Sequence, residues 1–148
     1  YSRKNKLDTF LVAAVIKNES GFRIDAKSKP GAVGLMQIMP QTGNWIAGEM
    51  GMQDFKIERL AEPEVNIRMG CWYLSELEYE FEHNRVLMLT AYNAGRGNTK
   101  KWMEEYNWDT DFGNIEKIPY ADTREYVKNV LHDRGQYYKL YKNRLADY

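Results

Sequence analysis

The sequence predicts one all-α domain, and three observations predict it. Apolar residues recur every three to four positions through most of the chain. Glycines and prolines stand where those periodic stretches stop or start. No internal repeat, low-complexity tract or linker interrupts the 148 residues, a length that suits a single domain over 1–148 burying roughly 68–70% of its unfolded surface.

Each element follows from its own pattern. Leu7, Phe10, Leu11, Ala14 and Val15 fall at i, i+3, i+4, i+7 and i+8, one stripe of a first helix, and Gly21 stops it, so Glu19 and Ser20 lie in or just past its last turn. Asp25 to Pro40 carries Pro30, Gly31, Gly34 and Pro40 without sustained periodicity and reads as irregular. A helix from about Gln41 to Met50 follows, ended by Gly51. Pro63 lies just inside the next helix start, with Val65, Met69, Trp72, Tyr73, Leu77 and Phe81 as its apolar face and Glu76, Glu78, Glu80 and Glu82 as its wet face. Val86 to Ala94 is a short apolar helix closed by Gly95, and Trp102, Met103 and Tyr106 suggest another. Asn107 to Pro119 is polar and irregular. The last helix runs from about Thr123 to Arg144, with Tyr126, Val127, Val130, Leu131, Tyr137, Tyr138 and Tyr141 on its apolar side.

Composition narrows the function. Lys plus Arg and Asp plus Glu number 21 each, so the formal net charge is zero and the clustered positive excess of a nucleic-acid binder is missing. Hydrophobic residues at 43% and charged residues at 28% are globular values. The longest apolar run, Phe10 to Ile16, is far short of the ~20 residues that span a bilayer. One cysteine, Cys71, excludes an internal disulfide and a cysteine-based zinc site, and the two histidines, His83 and His132, are far apart in sequence, so no metal is expected. The chain begins at Tyr1 without methionine and reads as a trimmed or mature fragment, with an export signal or anchor expected upstream. Eleven Tyr and four Trp supply core packing, and are also the residues from which a sugar-binding groove is built.

Glu19 is the candidate for chemistry. A carboxyl at a helix C-terminus meets the negative end of the backbone dipole, which disfavours its charged form. If neighbouring aromatics also desolvate it, its pKa rises and it can serve as a general acid near neutrality; otherwise it is an ordinary solvated glutamate, and its sequence context has to decide. Around it stand Glu19-Ser20-Gly21-Phe22, then Gly34-Leu35-Met36-Gln37-Ile38-Met39-Pro40, then Asn66-Ile67-Arg68-Met69-Gly70-Cys71-Trp72-Tyr73-Leu74, then Ala91-Tyr92-Asn93-Ala94-Gly95, and finally Ile118-Pro119-Tyr120-Ala121-Asp122-Thr123-Arg124-Glu125-Tyr126-Val127. Five motifs in this order resemble the catalytic domain of soluble-type lytic transglycosylases (the SLT family), related in fold to goose-type lysozyme. The resemblance covers about Leu7 to Tyr141.

The resemblance implies a lysozyme-like α-fold and a carbohydrate lyase. Such enzymes cleave the β-1,4 bond between N-acetylmuramic acid and N-acetylglucosamine in peptidoglycan and leave a 1,6-anhydromuramoyl end. Glu19 matches the single catalytic carboxyl. Most glycosidases use two; here Asp25, Asp122 and Glu125 are the nearby carboxylates, none at a position where the family keeps a nucleophile. The substrate's own N-acetyl group is the expected stabiliser of the transition state. Ser28, Gln37, Met39, Tyr92, Asn93, Tyr120 and Tyr126 match groove residues, with Gln37 able to donate and accept hydrogen bonds and Tyr92 orienting Glu19 or the acetamido group. Ser20 caps or orients locally. No cofactor is implied, the partners are peptidoglycan glycan strands, the chain is expected to act as a monomer, and the working site is the bacterial cell envelope or the extracellular space.

Asp122 departs from the family, which commonly has Glu before Thr-Arg; it either positions substrate or caps the last helix. Two rivals keep the motifs: a goose-lysozyme-type hydrolase, in which water completes the reaction, and a non-catalytic glycan-binding or secretion-system module. Asp109-Thr110-Asp111 has Tyr120 where a calcium loop needs a bidentate Glu. His83 reads as a solvated surface residue and Cys71 as a small core residue.

Overall fold

The computed structural model describes residues 1–145, leaving the last three positions of the expected 1–148 domain outside the described residues. Six α-helices and two short 3-10 turns make up the regular structure of the described residues. The chain divides into two compact units, Tyr1–Tyr73 and Leu74–Tyr148, and the division falls inside a continuous helix.

The first unit begins with α1, Thr9–Ser20. The Asp8 side chain caps it by accepting from the Phe10 and Leu11 amides at 2.9 and 3.2 Å. Leu7 therefore lies just before the helix, although it is buried like Leu11, Ala14 and Val15. Gly21 ends the helix in the left-handed conformation (φ 60°) and donates to the Lys17 carbonyl. Helix α2, Pro40–Met50, opens on a proline that fits the first helical turn and holds Met39 extended. Gly51 closes it in the same left-handed way (φ 69°). A 3-10 turn, Ile57–Ala61, which the sequence pattern did not suggest, leads through buried Leu60 into α3, Pro63–Glu80.

The C-terminal half of α3 opens the second unit, followed by α4 (Arg85–Ala94), α5 (Arg96–Glu105) and α6 (Ala121–Leu145). The Asn84 side chain caps α4 by accepting from Leu87 N, and donates to the carbonyls of Thr110 and Phe112 at 2.8 Å each, so one residue pins the irregular 107–119 segment to a helix start. Leu87, Met88, Leu89, Ile118, Val127 and Val130 are fully buried.

Two expectations need correction. The apolar side of α6 holds through Tyr126, Val127 and Val130, but Tyr138 and Tyr141 are each 41% exposed. Their rings are covered by neighbours on the same helix: Arg134 and Lys142 lie over Tyr138, Arg144 lies over Tyr141, and Tyr137 packs against Tyr141. The Glu76–Glu82 face is also not uniformly solvated. Glu80 accepts two bonds from Arg96, at 2.7 and 2.9 Å, and pairs with Lys100. Cys71 is fully buried, which pushes its thiol up to about 11, and the His83 side chain is 77% exposed.

Candidate active site

In the first unit, Glu19 is the penultimate residue of α1 and is half-buried. Its neighbour Ser20 is buried, and the Ser20 hydroxyl donates to the Ile16 carbonyl at 3.1 Å, back along its own helix. Past Gly21 the chain enters a tight loop held by two isolated antiparallel bridges, Lys27 with Val33 and Val33 with Ile38. Ser28 closes one turn of this loop, its Oγ accepting from the Ala32 amide at 2.9 Å. That bond uses a lone pair and leaves the hydroxyl proton to be donated. Met39 is half-buried at the N-cap of α2.

Gln37 occupies the left-handed region (φ 51°), an uncommon setting for a side chain of this kind. Its Nε2 donates to the carbonyls of Ala26 (3.1 Å) and Gly34 (2.9 Å). Both partners are acceptors, so only the NH₂ end of the amide fits there and Oε1 faces the other way. Sequence reasoning expected an amide that both donates and accepts; within the protein its donors are already used, and what it offers a ligand is an acceptor.

Asn66, on α3, is a residue to which the motifs assigned no role. It is 0% exposed. Its Oδ1 accepts from the Met36 amide at 2.8 Å, and its Nδ2 donates to the carbonyls of Val33 (2.8 Å) and Leu60 (2.9 Å). Gly34 packs so closely on it that a Cβ there would lie 2.8 Å from Asn66 Cγ. One turn along α3, a Cβ on Gly70 would lie 2.8 Å from Met36 Cε. Asn66 and Gly70 thus form a seat into which the Gly34–Gln37 turn fits.

In the second unit, Asn93, Tyr120 and Asp122 line one open cleft of about 700 Å³, together with Ala94, Pro119, Ala121 and Thr123. Tyr120 is exposed and rests edge-on against buried Trp102, 4.9 Å between ring centroids at 88°. The buried Thr123 hydroxyl donates to Asn93 Oδ1 at 2.8 Å, which leaves the Asn93 NH₂ group as a donor toward the cleft. The Arg124 amide donates to the Tyr120 carbonyl, so Tyr120 holds the cap position of α6 and Asp122 sits inside the first turn. There its charge complements the positive end of the helix without capping it. Tyr92 is half-buried on α4, and Tyr126 is only 8% exposed on α6. The first unit therefore holds Glu19, Ser28, Gln37 and Met39, and the second holds Tyr92, Asn93, Tyr120, Asp122 and Tyr126.

Residues 1–114 match the family described as the transglycosylase SLT domain. The soluble lytic murein transglycosylase of Salmonella typhimurium is 37% identical over 133 residues, 88% of this chain and 21% of that protein. Among solved structures, an inactive Glu-to-Gln mutant of the lytic transglycosylase Slt from Pseudomonas aeruginosa matches with a TM-score of 0.83 at 35% identity, over 95% of this chain and 23% of that one. The 70-kDa soluble lytic transglycosylase in complex with bulgecin A matches with a TM-score of 0.86 at 32% identity, over 96% and 23%. This chain spans about a fifth to a quarter of the length of these relatives. The likeness bears out the expected all-α, lysozyme-like fold. With the family matched over well more than half of its residues, the chain belongs to the transglycosylase SLT domain family.

Proposed function

We propose that this chain is the catalytic domain of a peptidoglycan lytic transglycosylase that works in the bacterial cell envelope with Glu19 as its one catalytic carboxyl. The observation that carries the reading is a half-buried glutamate in the last turn of α1, beside a left-handed glycine cap, in a chain of the SLT family. The solved Pseudomonas relative, inactive as a Glu-to-Gln mutant, supports a glutamate-dependent reaction.

In this reading Glu19 gives its proton to the oxygen of the β-1,4 bond as the C1–O4 bond breaks. The N-acetylglucosamine side leaves as an alcohol. The neighbouring N-acetyl oxygen of the substrate stabilises the positive charge at C1 of the N-acetylmuramic acid. The Glu19 carboxylate then takes the proton of the C6 hydroxyl as O6 bonds to C1, which closes the 1,6-anhydro ring and restores the acid. No water is consumed and no metal or other cofactor is required. Ser28, Gln37, Met39, Tyr92, Asn93, Tyr120, Asp122 and Tyr126 are the glycan-binding candidates. Gln37 accepts from a sugar N–H or O–H, and Asn93 donates to a sugar oxygen.

Digestion of purified sacculi followed by mass spectrometry tests the reaction. Products one water lighter than reducing-end muropeptides are expected, and predominantly reducing ends reject the lyase in favour of a hydrolase. Glu19→Gln keeps the shape of the side chain and loses the transferable proton, so turnover is expected to fall by about 10²–10⁴-fold or more while glycan binding persists. Parent-like turnover in that variant removes Glu19 from the mechanism.

A further inference from the structure

We infer that Asn66 is a positioning residue of the glycan site: it fixes the Gly34–Gln37 turn so that Gln37 meets the substrate as an acceptor only. This rests on the glycan-binding role proposed for Gln37. The turn contains an unfavourable piece of backbone, because Gln37 (φ 51°) adopts the left-handed region that side chains other than glycine seldom occupy, three residues after Gly34 (φ 80°), which enters it freely. Such a conformation persists only where its surroundings over-determine it. Here the surroundings are specific. Val33 and Ile38 exchange amide–carbonyl bonds at 3.0 Å across the turn, and the Gly34 amide donates to Ala26 O at 2.9 Å. These bonds close the loop upon itself; Asn66 ties it to α3.

All three Asn66 bonds are chemically directional. Val33 O and Leu60 O need donors and Met36 N needs an acceptor, so the amide fits in one orientation. A buried amide with both NH₂ protons and its oxygen engaged is costly to replace, since removing it takes the side-chain partner from Leu60 O and Met36 N and leaves Val33 O with its bond from the Ile38 amide alone. Met36 and Gln37 are neighbours in sequence, so a shift of the Met36 amide moves Gln37 and loosens its grip on Ala26 O and Gly34 O. The Gln37 amide is then able to rotate, and the site loses its fixed polarity. A sugar N–H or hydroxyl donor that relied on Oε1 meets either end of the amide.

The test compares Asn66→Ala and Asn66→Asp with Leu77→Ala, a core truncation in α3 outside the turn. Steady-state turnover is measured on a soluble peptidoglycan glycan oligosaccharide, and the Gln37 side-chain amide protons are followed by NMR. Asn66→Ala is expected to raise KM about tenfold, with a smaller change in kcat, and to speed exchange of the Gln37 amide protons. Leu77→Ala is expected to lower thermal stability and leave both readouts unchanged. In Asn66→Asp the neutral acid donates one hydrogen bond and the carboxylate none, so KM is expected to approach the parent value as pH falls, a trend absent from the alanine variant. This variant, read at acid pH, serves if Asn66→Ala does not fold. Parent-like KM and unchanged Gln37 exchange in a folded Asn66 variant overturn the proposal. Parent-like KM in Gln37→Ala also overturns it, whereas the proposed reaction is judged separately by the anhydro products.

Discussion

Two side-chain amides, one in each unit, are held in opposite ways. Gln37 has its NH₂ group tied to two backbone carbonyls, Ala26 O and Gly34 O, and turns its oxygen outward. Asn93 has its oxygen tied to one side chain, the Thr123 hydroxyl, and turns its NH₂ group outward. The first presents an acceptor and the second a donor, although either residue is capable of both. Binding polarity is therefore set by what lies behind the amide. The two tethers also differ in durability. No side-chain substitution removes a backbone carbonyl, so the Gln37 tether is lost only when the turn itself shifts, as Asn66→Ala is expected to shift it, whereas the Asn93 tether vanishes with one hydroxyl.

The largest effect expected comes from a substitution in the backbone turn of the first region. Gly34→Ala places a methyl group 2.8 Å from Asn66 Cγ and 3.2 Å from Leu60 O, at a φ of 80° that alanine disfavours. Overpacking against a buried amide is expected to cost about 3 kcal/mol, read as a lower midpoint in chemical denaturation. Gly48→Ala, at an exposed position of α2 with nothing within 4 Å of the added carbon, is expected to gain about 0.5–1 kcal/mol by helix propensity. Equal responses at the two positions would mean that the turn is not seated on α3.

The helices and their ends were legible in the sequence because their causes are local. Gly21 and Gly51 take left-handed caps, Pro40 and Pro63 open helices, and the heptad-like spacing of Leu11, Ala14 and Val15 follows the buried face. The five motifs carry all the candidate site residues but Ser28. What stayed hidden depends on partners remote in sequence. A buried asparagine reads like any other asparagine, and the groups that give Asn66 its role at Met36 and Val33 are 30 and 33 residues away. Gln37 reads as a two-way amide until Ala26 O, 11 residues back, claims its protons. Glu80 reads as one more charge on a wet face until Arg96, 16 residues on, folds against it. The 3-10 turns Ile57–Ala61 and Ile115–Lys117 are too short to leave a period.

The second region breaks more gently. Thr123→Val keeps the shape of the side chain and deletes the hydroxyl that holds Asn93. Thr123 is buried and Asn93 is exposed, so water replaces the lost partner on the Asn93 side, and stability is expected to fall by about 1 kcal/mol. Glycan affinity is expected to weaken by roughly three- to tenfold as the freed amide samples both orientations, measured by titrating a peptidoglycan oligosaccharide into a Glu19→Gln background. A larger loss than that of Asn66→Ala in the same assay would reverse the expected order of the two regions.

The smallest effect separates the regions by pH. The tethers of Gln37 and Asn66 are uncharged amides and carbonyls, so they do not titrate. The second unit contains a charged one: the bidentate hydrogen bonds from Arg96, aided by Lys100, hold the Glu80 carboxyl below the usual carboxylate range against the opposing effect of burial. A carboxylate whose folded pKa lies below its unfolded value of about 4.3 binds fewer protons in the native state near those values. Its stabilisation is complete above the unfolded pKa and is lost as pH falls through the folded one. Arg96 and Lys100 are substantially exposed, at 39% and 56%, so solvent screens the pair and the contribution is on the order of 1 kcal/mol. Denaturation of the parent and Glu80→Gln from pH 7 down to pH 3 is expected to show the variant less stable at neutrality, with the gap closing in acid. A gap of constant size would mean that Glu80 acts on α5 through packing rather than charge, and that the charged tether of the second unit is as indifferent to pH as the amide tethers of the first.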